Sequence, residues 1–281
     1  MRDCDMPTTR MRVERRVIGG SRKVHRWALA VMRPTAPWLG IAGGFYGAAI
    51  WAEDQNWPSR LWKHGAAHTA TDVLGIVAFA GGGLLVYGFA RAEGKRKLRD
   101  DLTDACVGMW ALAVEELGLP MEKVGVCVFS VAGPPKLRFL EQRAGFVVGQ
   151  RTRSHVLWRR GKGAVGIAWA NDAPMIANVE HLEGRLGRLS GGATRTELAR
   201  AFCSIPYEER FGLGFREFFR TRQYRAVLAV PLRKDGDSDS RVIGCLSIDL
   251  LVDGKADELA ALIHHDDFDN VVAVCEGLLA Q

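Results

Sequence analysis

The chain has 281 residues, 48% of them hydrophobic, and a net charge of +6. That length allows one domain with an appendage or two small domains, and the apolar content allows a sizeable core. The six cysteines show no CxxC or Cys/His spacing, which argues against a zinc site and a disulfide framework and fits a reduced, cytosolic setting.

Residues 1–33 hold nine Arg or Lys, among them Arg10, Arg12, Arg15 and Arg16, against three acids. Such a block reads as a solvated tail able to touch anionic lipid. It has no apolar core of a cleavable leader. Basic residues beside apolar segments point to a membrane surface rather than to nucleic acid.

Two uncharged runs follow, Pro34 to Ala52 and Val73 to Ala90. Each approaches the ~20 residues that cross a bilayer core. Trp38, Trp51 and Tyr87 sit near their ends, as interfacial aromatics do. Arg91, Lys95, Arg96, Lys97 and Arg99 follow the second run, while the loop between the runs holds only Arg60 and Lys63. The positive-inside rule then puts both termini in the cytoplasm. The expectation is a two-pass hairpin in the cell membrane. Gly43 with Gly47, and Ala78 with Gly82, are spaced for close helix packing. His64 and His68 could share a helix face, but Gly65 and the lack of a third ligand favour an exposed loop over a metal site.

Residues 95–118 read as a helix within a linker of 93–118. Leu98, Leu102, Ala105, Met109, Leu112 and Val114 give it a broad apolar face, and Gly118 and Pro120 end it. From 119 the pattern turns to strands. Val124 to Val131 reads as a buried strand stopped by Gly133, Pro134 and Pro135, with LRFLEQRAG as its edge partner. Gly161, Gly163 and Gly166 spell G-x-G-x-x-G, but Pro174 keeps the following helix short. The glycines therefore serve a tight turn rather than a dinucleotide.

Residues 183–195, rich in Gly, Arg and Ser, read as a loop. Thr196 to Cys203 and Tyr207 to Arg222 read as helices, the second carrying Phe211, Phe215, Phe218 and Phe219 at helical spacing. Arg216, Arg220 and Arg225 lie among these aromatics and are candidates for holding an anion. Arg225 to Val252 reads as two strands around a Gly/Asp/Ser turn. The first is apolar on both faces, as in a central strand. In the second, Cys245, Ser247 and Asp249 share one face while Gly244, Leu246, Ile248 and Leu250 share the other. The C-terminal stretch is helical with a break at His265–Asp267, whose His and Asp residues read as a surface patch or helix cap rather than as metal ligands.

The run AVPLR, a turn, then IGCLSIDL resembles the closing strands of a GAF domain. GKGAVGIAWANDAPMIANV, Gly161 to Val179, resembles that family's middle segment. The resemblance spans residues 100–281 or so and implies an α+β fold: an antiparallel sheet with flanking helices over 119–281, joined here to an N-terminal two-helix transmembrane hairpin. It also implies that the aromatic segment roofs a pocket over the sheet. The candidate ligand-binding residues are Trp158, Trp169, Phe211, Phe215, Arg216, Phe219, Tyr224, Ser247 and Asp249. Departures from the family are plain. Cys127 and Cys245 lack the spacing of the members that reduce methionine sulfoxide, SIP at Ser204–Pro206 lacks a following cysteine for a bilin, and no cyclic-nucleotide signature is recognisable.

No catalytic motif stands out, so no enzyme activity and no cofactor or metal is expected. The function expected is a membrane-anchored sensory or ligand-binding protein, a homo-oligomer with a small anionic ligand, signalling through a partner or its membrane helices. One alternative is a ligand-gated effector whose hairpins assemble and perturb the membrane. The other is a thiol-dependent reductase using Cys127 and Cys245.

Overall fold

The computed structural model describes residues 66–149, 156–190, 194–234 and 240–281, with side chains from 87 onward except at 136, 189 and 190. The basic tail, the first apolar run, His64 and most of the loop after that run lie outside the described residues. The chain divides into two compact units, residues 6–96 and a second made mainly of 97–281.

The first described element is α1, Ala66–Leu117, 52 residues long. The second apolar run falls within it, mostly ahead of the side chains described, and of its last residues Tyr87 and Phe89 are exposed. Among the described residues, no helix is long and apolar enough to cross a membrane.

The second unit is built on five strands: β1 (Val124–Ala132), β2 (Phe139–Val147), β3 (Met175–Asn178), β4 (Ala226–Arg233) and β5 (Val242–Leu250). They form one sheet in the order β2-β1-β5-β4-β3, every neighbouring pair antiparallel. The helices are α2 (Gly163–Asn171), α3 (Val179–Ser190), α4 (Arg195–Ser204), α5 (Phe215–Thr221), α6 (Ala256–Ala261) and α7 (Asp266–Ala280). An antiparallel five-stranded sheet with flanking helices is the architecture the GAF resemblance implies.

The period-2 alternation of the strands decides which side chains meet which helices. Val126 and Val128 of β1, Leu228 and Leu232 of β4, and Leu246, Ile248 and Leu250 of β5 all point to one face. There they bury against Leu102, Cys106, Met109, Ala113 and Leu117, the helically spaced stripe of α1. Leu259, Leu262, Phe268 and Cys275 of the C-terminal segment complete that layer. Each fully buried side chain of this size contributes about 1.5–3 kcal/mol relative to exposure, so this closed face is the main source of stability. The Trp110 indole meets Phe146 edge-on, with ring centroids 5.1 Å apart, and its Nε1 donates to the Met121 carbonyl at 3.2 Å.

The structure revises two local expectations and bears out the helix cap expected at His265. The Gly-rich loop expected over 183–195 is helical up to Ser190, because Val179, Leu182 and Leu186 bury a helical stripe that outweighs the cost of Gly184 and Gly187, about 1 kcal/mol each. The helix expected over 207–222 begins only at Phe215, because Phe211 and Gly212 take left-handed φ angles of 54° and 65°. The C-terminal break at 265 is a cap, the His265 Nδ1 accepting from the Asp267 N–H at 3.2 Å. Among the described cysteines, Cys106, Cys127, Cys245 and Cys275 are free thiols.

Candidate functional site

The second face of the sheet is built differently. Strand register places Cys127 opposite both Gly145 and Ser247, and Ser247 opposite Ala229. One row across the five strands is therefore Gly145, Cys127, Ser247, Ala229 and Met175, small in its first four positions. The next row runs Val147, Gly125, Asp249, Val227 and Ala177. These side chains are mostly small, and the hydroxyl, thiol and carboxylate give the face polar points. Ser247 is 5% exposed and Asp249 9%, whereas Cys127 and Val227 are half-buried. The Gln142 Nε2 donates to the Cys127 sulfur at 3.4 Å.

Helix α2 covers part of this face. Ala164, Val165, Ala168 and Trp169 pack there against Phe129, Ala229 and Cys245. Trp158 and Phe211 join the same cluster half-buried and also border a third cluster under α3, α4 and α5. In that third cluster Phe202 stacks on Phe218 at 4.9 Å and tilts against Phe215 at 5.8 Å.

The junction between α2 and the segment before α5 is tight. A Cβ on Gly163, which has φ +64°, would lie 2.4 Å from the Trp158 ring. A Cβ on Gly212 would lie 2.2 Å from the Gly161 carbonyl oxygen. The Gly163 N–H donates to the Phe211 carbonyl at 2.7 Å, which holds a phenylalanine in a conformation that costs about 1–2 kcal/mol. Lys162 Nζ pairs with Glu217 Oε1 at 2.9 Å, both side chains largely shielded at 14% and 16% exposure. The other Glu217 oxygen accepts from the Gly214 N–H at 3.1 Å. One carboxylate thus ties the start of α2 to the start of α5.

Of the residues singled out in the sequence, Trp158, Trp169 and Phe211 share one cluster on the face that bears Ser247 and Asp249. Phe215 belongs to the neighbouring aromatic cluster. Arg216 is exposed on α5, and Tyr224 lies half-buried in the turn before β4. Phe219 is 37% exposed, with the Arg222 and Arg195 guanidiniums 3.9 and 5.5 Å from its ring centre. Arg225 is engaged by Glu183 and Asp253. Sequence reasoning named Cys127 only as a reductase thiol and missed its place beside Ser247, along with Gln142 and the Lys162–Glu217 pair. Strand alternation alone put Cys127 on an unknown face, and only the register with β5 sets it beside Ser247.

One thiol of this face, on the central strand β5, is shielded from solvent. Cys245 donates to the Val165 carbonyl at 3.4 Å. Burial pushes its thiol up to about 12, with the Asp172 carboxylate adding to the rise. Near neutral pH the nucleophilic thiolate is disfavoured. Asp172 ends α2 in the left-handed conformation, φ 53°, and pairs with Arg233 at 3.0 Å. Among the described residues, no group of three or more His, Cys, Asp or Glu could hold a metal ion.

No family model matches the chain, and no curated protein matches it. Among solved structures, it is similar to the type II free methionine-R-sulfoxide reductase from Thermoplasma acidophilum, with TM-score 0.38, 15% identity, and coverage of 66% of this chain and 94% of that one. It is also similar to the GAF domain from an Acinetobacter phosphoenolpyruvate-protein phosphotransferase, with TM-score 0.34, 13% identity, and coverage of 68% and 93%.

Proposed function

We propose that this chain is a membrane-attached ligand-binding sensor. The second face of its sheet takes a small molecule over the floor of Cys127, Ser247 and Asp249, and the bound state is passed on through α1. The observation that carries the reading is the contrast within β5. Leu246, Ile248 and Leu250 close one core, while the intervening Ser247 and Asp249 place polar groups in an apolar frame on the other side. Concave sites that are mostly apolar with a few polar points are what small ligands occupy. Membrane attachment is supported by the two uncharged runs and their basic flanks. The residues of α1 that pack under the sheet follow the second run in the sequence.

The ligand meets Ser247 and Asp249 at the floor and the indole of Trp169 beside it. The reductase alternative finds little support at Cys245, whose thiol is buried and raised. The test is a thermal-shift screen of the full chain against a panel of metabolites, repeated with Ser247→Leu, which fills the recess. A ligand at a hundred times its Kd adds about 2.7 kcal/mol of stability, and Ser247→Leu removes that gain. If no compound raises the melting temperature, or if Ser247→Leu responds as the parent does, the recess is not a ligand site.

A further inference from the structure

Helices α4 and α5 carry a surface that the ligand reading does not use. Phe219 is 37% exposed, yet it is not a loose side chain. Its ring lies 6.1 Å from that of Phe215, which in turn packs on buried Phe202. Two guanidiniums approach this one exposed ring, Arg222 at 3.9 Å and Arg195 at 5.5 Å. Arg216 and Arg220, on the same short helix as Phe219, are exposed as well. None of these four arginines forms an ion pair with a described residue. The nearby acids are committed elsewhere: Glu217 to Lys162 and Gly214, and Glu197 to capping Thr194 at 2.7 Å. Four like charges on this surface, two of them at the exposed ring and none with an ion-pair partner among the described residues, repel one another, and an anionic surface relieves that repulsion.

We propose that the Arg195, Arg216, Phe219, Arg220 and Arg222 surface docks the domain onto an anionic lipid bilayer. The ring suits the headgroup boundary and the guanidiniums suit the lipid phosphates and carboxylates around it. A polynucleotide is the poorer fit. Residues 97–281 hold 24 Lys and Arg against 25 Asp and Glu, so the unit has no general positive field to attract a polyanion. What it has is a local basic cluster with an apolar centre. This surface is separate from the recess over Ser247, and it acts whether or not that recess binds anything.

The experiment follows the arginines themselves in the full chain, on phosphatidylcholine vesicles with and without phosphatidylserine. Phenylglyoxal modifies exposed guanidiniums, and mass spectrometry reads the rate at each position. A basic residue at an anionic surface gains about 1 kcal/mol, equivalent to a factor of about five. Arg195, Arg216, Arg220 and Arg222 are therefore expected to react about fivefold more slowly on the phosphatidylserine vesicles. High salt abolishes the slowing by screening. Arg241, exposed on the β4–β5 hairpin, serves as the internal reference and keeps its rate. Phe219→Ser shrinks the protection while leaving the fold intact, because the side chain stands at the outer edge of its cluster. Equal rates on both vesicles overturn the proposal, as does equal slowing of Arg241. So does protection of the four arginines by inorganic phosphate alone, which would make the cluster a simple anion site. Protection by duplex DNA without protection by phosphatidylserine overturns it too.

Discussion

The two faces of one sheet have been put to different uses. Against α1 and α7, the side chains are large, apolar and fully buried, with Leu246 at 1% and Leu250 at 0% exposure. Against α2, the central row contains glycine, a thiol, a hydroxyl and an alanine. The first arrangement maximises buried apolar area, and the second gives up some of that area for polarity. Adjacent residues of a single strand therefore differ in kind: Leu246 and Ile248 close the apolar core, while Ser247 and Asp249 put polar groups on the other side.

The largest expected effect lies on the closed face. Leu246→Ala removes a fully buried side chain from the middle of β5 and should cost about 2–5 kcal/mol. Denaturant titration reads this as a lowered midpoint with an unchanged slope. A cost below about 1 kcal/mol would mean that this face is less closed than its packing implies.

Next comes the junction that supports the second, more polar face. Gly163→Ala forces a Cβ toward the Trp158 ring at a left-handed φ, and the combined strain should cost about 1–3 kcal/mol. Because Trp158 borders both the sheet-face cluster and the α3–α5 cluster, its near-UV circular dichroism should change as well. A neutral Gly163→Ala with an unaltered aromatic spectrum would remove the tight junction from the account.

The division of labour was largely legible along the strands. Alternation in VIGCLSIDL separates Ser247 and Asp249 from Leu246 and Ile248 without any coordinates, and the same holds for the apolar stripe of α1. What the linear pattern hides is register. Nothing in the sequence says that Cys127 stands opposite Ser247 rather than Cys245, because that depends on how β1 and β5 are paired. The aromatic segment misled for a different reason. Phe211, Phe215, Phe218 and Phe219 fit a helical period, but the helix starts only after two residues with positive φ. Phe211 thus turns toward α2 while Phe215 and Phe218 enter another cluster. In the glycine-rich stretch, three buried apolar residues at helical spacing outweighed two helix-weakening glycines.

The closed face also contains thiols with a pH signature. Burial pushes Cys106 and Cys275 each up to about 12, with Cys106 raised further by Cys275 and Cys275 by Glu276. A thiol freed by unfolding titrates near 8.5. Above that pH the unfolded chain binds fewer protons than the folded one, so stability falls as pH rises toward 12. Below the unfolded value these thiols contribute no pH dependence. Each raised thiol adds a slope of up to about 1.4 kcal/mol per pH unit in that window. Urea midpoints taken between neutral and alkaline pH should show the decline, and Cys275→Ala should flatten it. Unchanged slopes in the variant would place Cys275 in a more solvated setting than the one described.

The smallest stability effect and the most informative functional one meet at Ser247, the direct neighbour of Leu246. Ser247→Ala deletes a hydroxyl and no carbon, so no cavity of consequence opens. The loss should be about 1 kcal/mol or less, several times smaller than for Leu246→Ala on the adjacent residue. If the more polar face is a recognition surface, the same substitution should weaken ligand-induced stabilisation by roughly tenfold in apparent affinity, since one polar contact is worth about 1.4 kcal/mol at that level. Leu246→Ala should do the reverse, lowering the melting temperature while preserving the increment that a saturating ligand adds. This crossed pattern separates a site from a core, because a purely structural role for Ser247 would lower stability and leave the ligand increment alone. Matching losses at the two neighbours, in stability and in ligand response alike, would mean that both faces of β5 are core.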